Sequence, residues 1–213
     1  MADLLALPGV VEEHVLGGPV AVLAVHGGLE GGTAELAHAV AARTGASLYV
    51  CRQTSTRVHL ASHLFDPAGS APLGAVLARA HRVLSLHGYG RWTKPDDVLL
   101  GGAARDLANE VARAFARHAP AFSTLVSLDD IEEGLRGLHP ANPVNATPGG
   151  GVQVELPHRA RGSSPRSPAG AAATPHPTVV EALSSVVAAW LAGDALEAPA
   201  PAPQPSKVIS PRR

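Results

Sequence analysis

Apolar residues fall along this chain in three patterns. The first is the continuous run. "PVAVLAV" (Pro19–Val25) lies between two glycines ahead and "HGG" behind, and it reads as a strand buried on both faces. "SLYVC" (Ser47–Cys51), "RVLSLHGYG" (Arg82–Gly90) and "DVLLGG" (Asp97–Gly102) read as further strands, the last two running out into glycine loops. The second pattern has a helical period. Leu36, Ala37, Val40 and Ala41 share one face of a helix over Thr33–Thr44, with Thr33 as its N-cap, Glu35 at its positive end and Gly45 at its stop. His38 falls on the opposite, solvated face. A second helix runs over 103–118 with Leu107, Val111, Ala114 and Phe115 inward. A third runs over 178–191, where Thr178 and Glu181 fit a capping box and Gly193 fits the stop. The third pattern is strict alternation in "GVQVEL" (Gly151–Leu156), with Val152, Val154 and Leu156 on one side and Gln153 and Glu155 on the other.

Strands alternating with helices predict an α/β fold: a single domain with a mixed, mostly parallel sheet flanked by helices. In such sheets, sites gather beyond the C-terminal ends of the strands. His26 and His87 both end a strand and are both followed by glycine, so the pattern brings them to one rim. "RARGSSPRSPAGAAATPHP" (Arg159–Pro177) reads as a loop. The division expected is a domain over 1–195 and a Pro/Ala-rich, disordered tail over 196–213, which carries "EAPAPAPQPSKVISPRR".

Composition narrows the class. Of 213 residues 46% are apolar and only 3% aromatic, so the core is built from Ala, Val and Leu. The formal net charge of -1 provides no basic face of the kind nucleic acid or an anionic membrane requires, and neither is expected as a partner. One cysteine, Cys51, forms no internal disulfide. No basic-then-apolar leader and no run of about 18 apolar residues is present, which makes the cytoplasm the default location. A monomer is the default state.

The chemistry concentrates in the glycine loops. His26 and Glu30 stand four apart in "HGGLE", and with distant His87 they form a His2Glu set of the kind that binds a catalytic zinc and leaves a position for water. The glycines let such a loop fold back on itself. The competing reading makes His26 a turn residue and His87 a hydrogen-bonded loop histidine. Glu155 would serve as a general base, or as an ordinary solvent-facing carboxylate. Arg91, Arg57, Arg159 and Arg161 are candidates for binding a substrate carboxylate through the guanidinium fork. Asn142 and Asn145 would orient backbone or substrate, or serve turn chemistry alone. The zincin H-E-x-x-H, the nucleophile elbow G-x-S-x-G and the phosphate loop G-x-x-x-x-G-K-[ST] are all absent.

Taken in order, "HGGLEGGTAELA", "STRVHLASHLFDP", "LSLHGYG", "VLLGG" and "NPVNATPGGGVQVELP" resemble the poly-γ-glutamate hydrolase family, often labelled phage-related. The resemblance runs from about Pro19 to about Arg161. It implies a zinc carboxypeptidase-like (phosphorylase/hydrolase-like) core, one Zn2+ ion, and hydrolysis of γ-glutamyl amide bonds in poly-γ-glutamate or a related anionic amide. On these motifs the metal ligands fall on His26, Glu30 and His87, and the general base falls on Glu155. Family members often read H-G-G-G-I-E where this chain has the shorter "HGGLE", which leaves Glu35 as an alternative carboxylate. A polyanionic substrate implies a locally basic cleft, for which Arg57, Arg91 and Arg159 are the candidates. Two other readings stay open: a zinc amidase or deacylase acting on a cell-wall peptide or acylated amino acid, and a non-catalytic binding protein on the same fold.

Overall fold

The computed structural model describes residues 1–91, 93–167 and 171–197. The chain opens with α1 (Ala2–Leu5) and β1 (Val10–Val15), followed by β2 (Gly18–Gly27), α2 (Thr33–Thr44), β3 (Ala46–Gln53) and α3 (Ala71–Arg79). It continues through β4 (Arg82–Gly88), β5 (Asp97–Gly101), α4 (Arg105–His118), β6 (Ser123–Leu125), β7 (Gly151–Leu156), α5 (His158–Arg161) and α6 (Pro177–Glu197). The seven strands form one sheet in the order β1-β3-β2-β4-β7-β5-β6. β3, β2, β4 and β7 are parallel, β1 is antiparallel to β3, and the β5–β6 pair is antiparallel to β7. The sheet is mixed with a parallel centre, as the alternation of elements predicts.

Two apolar layers cover it. On one face Val20, Val22, Ala24, Leu84, Leu86, Val152, Val154 and Leu156 pack under α2, α4 and α6. Trp190 closes this layer, donating its indole N–H to Glu110 at 2.6 Å. On the other face Ala21, Leu23, Val25, Val83 and Tyr49 pack with Phe65 and the Leu73, Val76 and Leu77 stripe of α3. The residues of β2 from Val20 to Val25 are all 0–1% exposed, because the strand is covered on both sides.

The sequence pattern misses or misplaces several elements. β1 ("VVEEHV") has no clean period because it is an edge strand, half exposed along its length. α3 has a legible start, Ser70 accepting from the Leu73 N–H at 3.1 Å, yet it is not among the expected helices. Thr33 is not the N-cap of α2. Gly32 in a left-handed conformation takes that place, and the Thr33 hydroxyl instead donates to the Glu30 carbonyl at 2.8 Å. No capping box opens α6. The helix starts one residue early at Pro177, whose fixed φ suits a first turn. Thr178 bonds the His176 ring at 2.9 Å, and Glu181 pairs with Arg43 of α2. α6 also runs through Gly193 instead of stopping there. The expected loop over 159–177 begins inside the short helix α5. Of the expected tail over 196–213, the first two positions close α6 and 198–213 lie outside the described residues. Among the described residues, no helix is long and apolar enough to cross a membrane.

Candidate metal centre and cleft

The candidate site lies where β2, β4 and β7 end. His26 reaches it through an irregularity in β2. Between Ala24 and Gly27 that strand uses one residue more than its partner β3. The extra residue turns two consecutive side chains, Val25 and His26, to the same side. Val25 belongs to the layer of Phe65, and the His26 ring stands 5.7 Å from the Phe65 ring. Without this bulge the imidazole would point under α2.

The loop after His26 is closed by a hydrogen bond from the Glu30 N–H to the His26 carbonyl at 2.9 Å. Gly28 has φ +78°, and a side chain there would also overlap the Gln53 carbonyl, so the tight turn needs glycine. This five-residue loop sends the Glu30 carboxylate back between two imidazoles. Oε1 lies 2.9 Å from His26 Nδ1, and Oε2 lies 3.5 Å from His87 Nδ1. Oε2 also accepts the Gly88 N–H at 2.9 Å. Each ring is held from its far side: His26 Nε2 meets the Leu60 carbonyl at 2.8 Å, and His87 Nε2 meets the Ser85 hydroxyl at 3.2 Å. Both Nδ1 atoms therefore converge on one carboxylate while outer partners fix the rings. One ligand atom from each of His26, Glu30 and His87 can be chosen so that all lie within 4.8 Å of one another. Two imidazole nitrogens and a carboxylate, each with an outer partner, are a donor set that suits zinc. Glu35, the alternative carboxylate, is engaged elsewhere, accepting from Arg52 at 2.7 Å.

The charges are coupled. Burial works against an ionised Glu30, but His26 and His87 outweigh it and hold the carboxyl well below the usual carboxylate range. Burial likewise disfavours a charged His87, yet the Glu30 carboxylate prevails and raises its pKa. Glu155 is the Cα partner of His87 across the parallel β4–β7 pair and is 3% exposed, not solvent-facing. Burial, with the Glu30 charge adding to it, pushes its carboxyl up to about 7 against the opposing pull of His87 and Gln153. A hydrogen-bonded file leads to it: Asn142 Nδ2 donates to Gln153 Oε1 at 2.9 Å, and Gln153 Nε2 donates to Glu155 Oε1 at 2.9 Å.

These groups line a cavity of about 480 Å³. Of the residues the sequence suggests for substrate binding, only Asn142 lines it. Arg91 is exposed and forms a bidentate pair with Glu132 at 3.0 and 2.6 Å. Arg159 pairs with Asp96 and lies over the Phe122 ring. Arg57 lines a separate groove beside Gly28 and Leu29. Asn145 ties turns together, accepting from the Ala103 N–H and donating to the Gly137 and His139 carbonyls. Arg161 is buried and bonded to backbone. Arg91 and Arg159 line a neighbouring cavity of about 320 Å³ with Tyr89, Gly90 and His158, and no Lys or Arg lines the 480 Å³ cavity among the described residues. Imidazoles stand there instead. His59 lies 4.7 Å from the His26 ring, and His63 and His139 meet from opposite walls with ring centroids 4.3 Å apart. Two of the three stand in "STRVHLASHLFDP", whose paired histidines were the available signal; His139 stands in a turn that nothing local marks.

The parallel-centred mixed sheet has a carboxypeptidase-like fold. A putative carboxypeptidase from Burkholderia mallei superposes with a TM-score of 0.52 at 10% identity, over 89% of this chain and 65% of that one. The chain belongs to the poly-γ-glutamate hydrolase family, whose model matches residues 7–165. The UPF0714 protein YndL of Bacillus subtilis (strain 168) is 30% identical over 150 residues, which are 70% of this chain and 56% of that protein. The chain thus spans little more than half the length of that relative. The zinc-free structure of YndL superposes with a TM-score of 0.67 at 23% identity, over 87% of this chain and 91% of that one. The structure of a bacteriophage poly-γ-glutamate hydrolase superposes with a TM-score of 0.69 at 24% identity, over 86% of this chain and 90% of that one.

Proposed function

We propose that this chain is a zinc-dependent hydrolase of γ-glutamyl amide bonds. The observation that carries the reading is the convergence of His26 Nδ1 and His87 Nδ1 on the Glu30 carboxylate, with buried Glu155 beside them on the next strand. His26, Glu30 and His87 would hold the zinc. When bound, zinc supplies Lewis-acid polarisation of the amide carbonyl and lowers the pKa of the attacking water. Glu155 accepts the proton of that water and returns it to the leaving nitrogen. Burial raises this carboxyl above the ordinary carboxylate range in the metal-free chain, the direction that suits a group passing a proton both ways. Gln153 fixes the orientation of Glu155, and Asn142 fixes that of Gln153. The substrate class rests on family membership and on the name of one similar protein, a bacteriophage poly-γ-glutamate hydrolase; YndL, solved in a zinc-free form, supports the metal.

One observation favours a second reading. The cavity has Glu133 at its rim and no Lys or Arg in its lining. That lining suits an uncharged or amine-bearing amide, such as a cell-wall peptide, at least as well as a polyanion. Incubating the zinc-loaded protein with poly-γ-glutamate, α-linked polyglutamate and a γ-linked cell-wall peptide separates the readings by product length. Shortening of poly-γ-glutamate with the α-linked polymer intact supports the first. Cleavage of the peptide alone supports the second, and zinc uptake without any turnover overturns both in favour of a binding protein.

A further inference from the structure

Arg161 is among the largest fully buried side chains of the protein, at 2% exposure. A buried cation is costly unless its surroundings answer it. Here the answer comes from backbone and not from a carboxylate. Nε donates to the Leu156 carbonyl at 3.0 Å, Nη1 to the Gly31 carbonyl at 2.6 Å and Nη2 to the Tyr89 carbonyl at 3.1 Å. Nη2 also lies 3.4 Å from His158 Nδ1. Burial lowers the pKa of the guanidinium, and the charges of Glu30 and Glu155 act against that.

The three carbonyls are not a random sample of the chain. Gly31 follows Glu30, Tyr89 is two residues after His87, and Leu156 follows Glu155. Each belongs to a different segment: the loops that leave β2 and β4, and the last residue of β7. His26 is tied to the same frame through the hydrogen bond between the Glu30 N–H and the His26 carbonyl. One planar fork thus joins every segment that carries a residue of the proposed centre. Gly88 makes room for it: a side chain there would overlap the guanidinium, although the Gly88 backbone itself is not in a conformation reserved for glycine. Three of its five N–H groups are committed to these carbonyls, and the side chain does not line the cavity.

Resting on the zinc-hydrolase reading above, we propose that Arg161 is a positioning residue. Its guanidinium sets the spacing of the loops after β2 and β4 and the end of β7 so that His26, Glu30 and His87 are arranged for zinc, with Glu155 beside them, before the ion arrives. A filler of the same volume would serve packing equally well. Only a planar group with donors along three directions holds three carbonyls from separate segments at once, and a lysine ammonium does not reproduce that fork.

The test uses the full-length protein and the variants Arg161→Lys and Gly88→Ala, alone and combined. Zinc affinity is read by competition with a chromophoric chelator, beside thermal unfolding of the metal-free forms and kcat and KM of the zinc-saturated forms. Arg161→Lys keeps the charge and loses the fork, so its zinc dissociation constant rises about 10-fold, the lower end of the scale for a group bonded directly to a metal ligand. Once loaded, it loses kcat while KM stays within about twofold, because the side chain does not meet substrate. Gly88→Ala retains Arg161 and displaces it, so zinc affinity falls in the same direction, and it carries the test alone if Arg161→Lys does not fold. Combined, the two changes cost little more than Arg161→Lys alone, since both remove one interaction. A loss of thermal stability in both variants with wild-type zinc affinity would overturn the proposal and leave Arg161 a brace of the fold. A rise in KM at unchanged kcat would overturn it in favour of a substrate contact. A wild-type protein that takes up no zinc would sink the metal-centre reading itself, and this inference with it, an outcome distinct from variants that match a zinc-binding wild type.

Discussion

His87 and Glu155 are register partners on adjacent parallel strands, with their side chains on the same face of the sheet. A candidate metal ligand and a candidate proton carrier are therefore fixed side by side by the backbone ladder. This separates their roles experimentally. Glu155→Gln preserves shape, touches none of the three proposed donors, and removes the proton acceptor. It should retain one equivalent of zinc and lose activity by about 10²- to 10⁴-fold, the contribution of a general base. Zinc analysis beside turnover on one sample checks this. Loss of zinc in this variant would make Glu155 a ligand instead.

Gln153 donates to Glu155 and so favours its ionised form. Gln153→Met removes that bond, and the Glu155 pKa moves further up. The acidic limb of the kcat/KM profile should shift to higher pH by about one unit. A hydrogen bond to a charged group is worth roughly 1.5 kcal/mol, and one pKa unit is about 1.4 kcal/mol. A shift to lower pH would contradict the file running from Asn142 to Glu155.

The metal-free protein should lose stability as pH rises through neutrality. Folded Glu155 has its pKa raised from 4.5 to about 7, so between those values the folded chain holds a proton that the unfolded chain has released. Stability falls over that window. His87, raised above 6.5 by Glu30, acts with the same sign: its contribution is complete below 6.5 and is lost as pH rises through the folded value. Zinc binding requires deprotonated donors, so the zinc form should gain stability over the same range. Melting temperatures between about pH 5 and pH 8, with and without zinc, should slope in opposite directions. Parallel slopes would show that His87 is not among the donors zinc engages.

Cys51 lies in β3 at 0% exposure, and burial pushes its thiol up to about 12. The folded protein should not react with a thiol reagent at pH 8, and unfolding should release one reactive thiol per chain. Rapid labelling of the native protein would contradict the burial of β3.

The sheet's centre was legible because its strands obey simple patterns: continuous apolar runs in β2 and β4 and alternation in β7. The edge was not, since β1 carries charges on a half-exposed strand. His26, Glu30, His87 and Glu155 were legible as glycine-loop or strand-end residues, and the structure brings them together. The turn of His26 onto the right face was not legible, because it depends on a one-residue bulge defined only by pairing with β3. The arginines misled for a general reason. A guanidinium in a sequence gives no sign of whether it will meet a ligand, a neighbouring acid or the backbone. Arg91 and Arg159 find Glu132 and Asp96 from distant segments, and Arg161 finds three carbonyls. The cavity's histidines are not legible in the sequence because His63 and His139 meet only after two remote loops fold against each other.

The most direct measurement is zinc K-edge X-ray absorption on protein reconstituted with one equivalent of the metal. The account predicts first-shell nitrogen and oxygen donors near 2.0–2.1 Å and the outer-shell scattering of two imidazoles, falling to one in His26→Ala and in His87→Ala. A spectrum without imidazole scattering, or one that neither variant changes, would contradict the assignment of His26, Glu30 and His87 as the metal centre.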